Sequence, residues 1–231
     1  MAYSYQWQPG MDVMALPDFE TGDLISIPLN PEKNAIQNGQ SYYKRHQKLK
    51  RARTAVEPLL AATNQEINYL QQVEAALKQL KDYQQGEDLQ TLKEIQEELI
   101  EQGYIIPQRE RSTSQETQPI TYYSPHGYEV LVGRNNRQND QLTFRLATDY
   151  DLWFHAQEIP GSHVLLRLPA GAIPDEKDLQ FVANIAAYHS RGRESQQVPV
   201  IYTKPKYVYK PKGAKPGMVI YDRETVIWGT P

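Results

Sequence analysis

From about Lys33 to Gln85 the chain is written in helix formers, with Leu49, Ala52, Val56, Leu59, Leu60, Ile67, Leu70, Val73, Leu77 and Leu80 recurring at spacings of three and four. A stripe of that length needs a partner along it, so the chain has to build one long amphipathic helix, or two in tandem, and then cover it. Pro58 lies inside the pattern, where its ring removes a backbone hydrogen bond and crowds the preceding turn, so a kink or break is expected near Val56 and Glu57. "QQGED" follows as a turn, and "DLQTLKEIQEELIEQGY" reads as a shorter helix with Asp88 as N-cap and Gly103 just past its end. Leu89, Leu92, Ile95, Leu99 and Ile100 form its stripe. The two stripes predict an antiparallel helical hairpin, a coiled coil over residues 33–106. Residues 1–32 contain a strand at Leu24, Ile25 and Ile27 and read as the tail of a preceding region.

Charge is distributed unevenly over this hairpin. Lys44, Arg45, Lys48, Lys50, Arg51 and Arg53 crowd one part of the long helix, whereas the short helix carries Glu94, Glu97, Glu98 and Glu101 against Lys93 alone. Like charges so close repel by some tenths of a kcal/mol per pair, a cost that a bound polyanion removes. A solvated face, partly paired with the acidic helix, is the simpler alternative. The net charge of −3 and pI of about 6.0 exclude a uniformly basic nucleic-acid binder and leave local clusters to do that work. The chain has no cysteine, so disulfides, thiolate metal sites and cysteine nucleophiles are excluded. No apolar run approaches the roughly 20 residues of a membrane helix, and the first residues lack the basic-then-apolar order of an export signal. A cytoplasmic protein without a membrane partner is expected.

Pro107 to Pro119 is polar and aperiodic and reads as a linker. Beyond it, over residues 120–231, come short β-like runs bounded by Gly, Pro, Asn or Asp: "GYEVLVG", "LTFRLA", "LWFHA", "HVLLRL", "PVIYT", "YVYK", "MVIYD" and "TVIWG". One principal helix interrupts them from about Asp175 to Arg191, with Leu179, Val182, Ala183, Ala186 and Ala187 inward. The fold class is α+β, a helical hairpin followed by a mixed sheet module.

Three features of this module carry candidate chemistry. Lys204, Lys206, Lys210, Lys212 and Lys215 interleave with Tyr202, Tyr207 and Tyr209, close in sequence to Arg191 and Arg193. Cations grip phosphates and aromatic faces stack on unpaired bases, although the tyrosines could equally be buried strand residues beside a soluble edge. "GRNNRQND" predicts a turn between two strands, and Arg134, Asn135 and Arg137 within it offer donors to phosphate or base edges. In "DYDLWFHAQEIPGSHVLLRL" strand alternation puts Leu152 and Phe154 on one face and Trp153 and His155 on the other, with His163 after the turn. Exposure of Trp153, His155, Ser162 and His163 would make this stretch an RNA platform, and burial would make it scaffold. Two histidines without a third ligand make a poor metal site, and adjacent Ser162 and His163 point apart on a strand, badly placed for proton transfer. No catalytic constellation, metal or cofactor is expected.

The stretches "VGRNNRQNDQLTFRLATDYDLWFHAQEIPGSHVLL", "AAYHSRGRES" and "VPVIYTKPKYVYKPKGAKPGMVIY" resemble the C-terminal RNA-binding domain of the NFACT family, the RqcH-type ribosome quality control factors once called fibronectin-binding proteins. "ISIPLNPEKNAIQNGQSYYKRHQKLKRA" and the short acidic helix resemble the end of that family's N-terminal region and its coiled coil. The resemblance implies binding to the large ribosomal subunit (rRNA) and to tRNA on stalled peptidyl-tRNA complexes, and support for C-terminal alanine tailing. The ribosome would supply the peptide-bond chemistry, so the chain is not expected to be an enzyme. The family's large N-terminal domain and helix-hairpin-helix module have no counterpart in these residues. The chain is therefore expected to be a C-terminal portion whose partners include that region, and whose coiled coil could self-associate. A protein-interaction or adhesin-like module, as the older fibronectin-binding label suggests, is the rival expectation.

Overall fold

A computed structural model describes residues 3–80, 86–107 and 117–231. Their contacts fall into two compact units, Met1–Asn64 and Gln65–Pro231. One helix, α1 (Ala35–Gln79), contributes residues 35–64 to the first and 65–79 to the second.

In the first unit, strands β1 (Val13–Pro17) and β2 (Leu24–Pro28) pair antiparallel, closed by the amide of Asp18 donating to the carbonyl of Asp23 at 2.7 Å. Helix α1 starts where Asn34 and Gln37 cap one another, each side-chain oxygen accepting from the other's amide at 2.8 and 3.0 Å. Buried Asn38 ties the helix to the incoming chain through the carbonyls of Asn30, Lys33 and Asn34. Of the kink or break expected at Pro58, the break does not occur, because α1 runs on through it. A single missing bond, about 3 kcal/mol, is outweighed by the regular turns on either side.

In the second unit, Tyr69, Val73 and Ala76 of α1, with Leu80 just past its end, pack against Ile95, Leu92 and Leu99 of α2 (Gly86–Glu101). The hairpin exists, and its short arm begins two residues earlier than Asp88. The expected linker at 107–119 lies mostly outside the described residues. Beyond it stands a six-stranded antiparallel sheet in the order β10 (Thr225–Gly229), β7 (Val198–Thr203), β5 (Leu152–Ala156), β6 (Val164–Leu166), β4 (Glu129–Val132), β3 (Ile120–Tyr123). Strands β8 (Val208–Tyr209) and β9 (Ile220–Tyr221) form a separate small hairpin.

Both faces of the sheet are covered. On one, Val130, Val132, Phe154, Val164, Leu166 and Val200 meet Val182, Ala183, Ala186 and Ala187 of α4 (Glu176–Tyr188), whose start is held by a capping box between Asp175 and Asp178. On the other, Leu131, Trp153, Leu165 and Ile201 are sealed by Leu142 and Val208. The segment "LTFRLA", expected as a strand, is helical. Asn135 caps α3 (Asn136–Gln141) by accepting the Gln138 amide at 2.9 Å, and a wide helical turn continues over Leu142–Leu146. Helical geometry turns Leu142 into the core and leaves Phe144 and Leu146 exposed, the reverse of a strand's alternation.

Helix α2 joins the sheet through carboxylates. Buried Glu98 accepts from the Tyr69 hydroxyl at 2.8 Å and the Asn136 amide at 3.0 Å. Glu94 accepts from the Asn135 amide at 2.6 Å and from the backbone and hydroxyl of Thr117 at 2.5 and 3.0 Å. The loop it grips is tight. A Cβ on Gly133 would sit 2.1 Å from Asn139 Oδ1, and Gly217, at φ +74°, has Asn136 Oδ1 2.6 Å from any added Cβ. Gln72 Oε1 accepts the Gly161 amide at 2.9 Å, and Gln79 Nε2 donates to the His189 carbonyl at 3.0 Å, so α1 is tied to the sheet domain at two further points.

Burial pushes the Glu98 carboxyl above its ordinary 4.5, against the lowering effect of Asn136, Tyr69 and Arg137. Because its folded pKa is raised, Glu98 contributes stability that is complete below 4.5 and is lost as pH rises through the folded value. Denaturant unfolding of wild type and Glu98→Gln across pH 4.5 to 8 is predicted to show the wild type losing stability relative to the variant as pH rises.

Candidate nucleic-acid interface

The candidate cations divide into those the fold consumes and those it leaves free. Arg134 bonds Glu87 at 2.7 Å and the Gln118 carbonyl at 3.0 Å, with Asp88 at 4.0 Å. Arg137 lies 3.5 Å from Glu97 and 2.7 Å from Glu101. With Asn135 buried as the α3 cap, the "GRNNRQND" turn is the counterpart of the acidic helix. The acidic helix pairs with this turn, where the sequence suggested the basic stretch of α1. Lys210 is paired with Asp140. Lys215 sits over the rings of Tyr69 at 4.7 Å and Tyr104 at 4.5 Å, bonds the Tyr104 hydroxyl, and has Glu66 at 3.6 Å.

Trp153, Ser162 and His163 are buried scaffold, whereas His155 is half-buried and lines a surface hollow. Trp153 is 0% exposed and His163 1%. Thr143 Oγ1 receives Trp153 Nε1–H at 3.0 Å, donates to the Asn139 carbonyl at 2.8 Å and lies 2.7 Å from His163 Nδ1. Ser162 is buried and donates to the Gly133 carbonyl at 2.6 Å. His155 stacks on Trp153 at 5.7 Å and stands 5.5 Å from His163. Burial lowers His155 to about 4 and drives His163 well below 6.5, so both are neutral near pH 7. Neither Trp153 nor His163 has a face left for a base to stack on. Among the described residues no group of three or more His, Asp or Glu side chains could hold a metal ion.

What stays exposed is a smaller set. Lys204, Lys206 and Lys212 pair with no carboxylate among the described residues. Lys206 and Arg223 lie over the Tyr207 ring at 5.1 and 4.7 Å, and Tyr209 presents an exposed ring nearby in sequence. Tyr202, by contrast, stacks on Phe154 at 5.2 Å within the core. Arg191 is exposed, and Arg193 covers the Tyr188 ring at 4.0 Å. In the first unit Lys44, Arg45, Lys48, Lys50, Arg51 and Arg53 are all exposed, and among the described residues Arg53 alone of the six meets a carboxylate, Glu57 at 2.6 Å. Leu49, Val56, Leu59 and Leu60 beside them are exposed too.

Sequence reasoning missed the structural carboxylates Glu94 and Glu98 and the aromatic partners Tyr69, Tyr104 and Tyr188. A signal for the first was present, since Glu87, Glu94, Glu98 and Glu101 follow at spacings of seven, four and three, one face of a helix.

The α+β domain bears exposed, unpaired lysines and arginines, and buried acids fasten a helical hairpin to it. The chain belongs to the NFACT family: residues 1–118 match the NFACT N-terminal and middle domains, and residues 118–222 match the NFACT protein RNA binding domain. It is 40% identical over 216 residues to the Rqc2 homolog RqcH of Bacillus subtilis (strain 168), covering 92% of this chain and 36% of that protein. It is 36% identical over 230 residues to the Rqc2 homolog RqcH of Streptococcus suis (strain 05ZYH33), covering 99% of this chain and 40% of that protein. The chain thus spans about two fifths of these relatives' length. Among solved structures, the C-terminal part of the fibronectin/fibrinogen-binding protein from Streptococcus suis matches with a TM-score of 0.72 and 38% identity over 84% of this chain and 75% of that one. No helix among the described residues is long and apolar enough to cross a membrane.

The division of cations has a direct test. Lys215→Ala should lower unfolding free energy by about 1–2 kcal/mol, the value of two partly desolvated cation–π contacts, whereas Lys212→Ala should stay within about 0.5 kcal/mol of wild type. Denaturant titration of the two variants checks this.

Proposed function

We propose that this chain is the RNA-contacting C-terminal portion of a ribosome quality control factor, acting on large-subunit complexes that carry a stalled peptidyl-tRNA. In this reading the free cations hold rRNA or tRNA phosphates, and the protein supports C-terminal alanine tailing while the ribosome performs the peptide-bond chemistry. The partners are the large ribosomal subunit, tRNA and the N-terminal NFACT region, and the compartment is the cytoplasm. The carrying observation is that the domain matching the NFACT RNA-binding domain keeps Lys204, Lys206, Lys212 and Arg193 out of ion pairs with the described carboxylates, whereas Arg134, Arg137, Lys210 and Lys215 are paired. Unpaired cations beside an exposed Tyr209 suit a phosphate backbone with unstacked bases. The basic stretch of α1, Lys44 to Arg53, is a second set with the same electrostatic logic.

A second reading rests on the Streptococcus suis neighbour, whose description as fibronectin- and fibrinogen-binding makes an extracellular protein ligand the rival. The two differ in salt dependence. Binding to 50S subunits or tRNA should weaken steeply with salt, and Lys204, Lys206 and Lys212 changed together to Ala should flatten log K against log salt by about two to three units. Equal slopes for the variant and wild type, or salt-insensitive binding to immobilised fibronectin with none to RNA, would overturn the RNA reading.

A further inference from the structure

The structure assigns a phosphate-binding pocket to the hollow between α1, α2, β3 and the end of α4, with Arg193 as its principal anion ligand. The hollow measures about 290 Å³ and is lined by Arg134, Arg193, Tyr122, Tyr188 and His189, with Gln79, Leu80, Asp88 and Ile120 completing the wall. That is near the low end for small-molecule sites, and more than a lone phosphate group requires. Neither the lysine run nor the basic stretch of α1 takes part. This pocket rests on the RNA reading only for one source of its ligand, a phosphate in an RNA chain; a free nucleotide would present the same group.

Three observations carry the assignment. The first is that the charge is unsatisfied where it matters. Arg134 spends two of its donors on Glu87 and the Gln118 carbonyl, but Arg193 contacts only the Tyr188 ring and hydroxyl and meets no carboxylate among the described residues. Stacking on Tyr188 fixes the plane of its guanidinium, so the fork is set in orientation before an oxyanion arrives.

The second is a buried imidazole in the wall, held neutral, that can take up a proton when an anion arrives. His189 is buried between Gln79 and Tyr122, and burial first, then Arg193 and Arg134, lower it to about 4. The two arginines therefore share the pocket with a neutral imidazole.

The third is a hydrogen-bond chain poised to respond. Nδ1 of His189 faces Gln79 Oε1 at 3.2 Å, an acceptor, so it carries the proton, and Nε2 accepts from the Tyr122 hydroxyl at 3.0 Å. An anion in the pocket offsets the arginines and favours the imidazolium. Nε2–H then donates to the Tyr122 oxygen and turns the hydroxyl proton toward the ligand. The charged and titratable groups facing His189 are Arg134 and Arg193, with Tyr122, Tyr188 and Asp88 around the same hollow. Asp88 in the wall and Glu87, bonded to Arg134 at 2.7 Å, oppose a phosphate, which leaves Arg193 as the uncompensated charge.

The test uses the full chain with adenosine 5′-monophosphate and adenosine as probes, so that the phosphate is the only difference. Calorimetry should show the nucleotide binding and adenosine at least about tenfold weaker. Arg193→Gln should cost the nucleotide about tenfold or more, with Arg193→Lys recovering part of the loss as a point charge lacking the fork. Saturating nucleotide should move the NMR titration of His189 upward from about 4. Equal affinity for nucleotide and nucleoside, indifference to Arg193→Gln, or an unmoved His189 titration would each overturn the pocket. Anisotropy with a single-stranded RNA, run in parallel, separates the two ideas. RNA binding that survives Arg193→Gln while the nucleotide fails to bind leaves the RNA reading and removes the pocket. Nucleotide binding with no RNA binding leaves the pocket with a free nucleotide as its ligand.

Discussion

The grip of α2's buried carboxylates on the Gly133–Asp140 turn organises everything around it. Glu98 and Glu94 leave water and have to find donors there, because an unpartnered buried carboxylate costs several kcal/mol. Asn135, Asn136, Thr117 and Tyr69 supply them. This holds the turn in a helical rather than a hairpin conformation, and the helical turn delivers Leu142 and Thr143 to Trp153. One acidic helix face thus determines the conformation of a segment some forty residues away, and through it the second face of the sheet.

That dependence explains which parts of the fold could be read from residues alone. The hairpin of α1 and α2 and the principal helix α4 follow from periodicity, which is local, and the α4 capping box is written in Asp175 and Asp178. The strands around Trp153 were legible for the same reason, including the division of Phe154 from Trp153 between the two faces. Whether the Trp153 face met solvent was not legible, since its cover comes from Leu142 and Val208, distant in sequence. The apolar run Leu-Trp-Phe was itself a hint, because a strand open on one side rarely spends Trp and Phe in succession. Leu142, Phe144 and Leu146 mimic a strand's alternation, but the Asn135 cap and the contacts of Thr143 override it.

The candidate site was legible in composition but not in allegiance. Nothing in "GRNNRQND" or "KPKGAKPG" says which cations meet a carboxylate, and that depends on where Glu87, Glu97, Glu101, Asp140 and Glu66 arrive. Arg134, Arg137, Lys210 and Lys215 are cations of the scaffold, whereas Lys204, Lys206, Lys212 and Arg193 keep charge to offer. Clustering by sequence overcounts a binding surface when an acidic helix is folded onto it. The same acids explain how a chain with a net charge of −3 keeps a cationic surface.

Glu94 and Glu98 hold α2 and the sheet domain as one cooperative body. Native-state hydrogen exchange tests it most directly. Core amides of α2, such as those of Ile95 and Glu98, should exchange with the same opening free energy as those of Val130 and Leu165 in the sheet. Exchange from α2 at a distinctly lower free energy, with the sheet still fully protected, would contradict it.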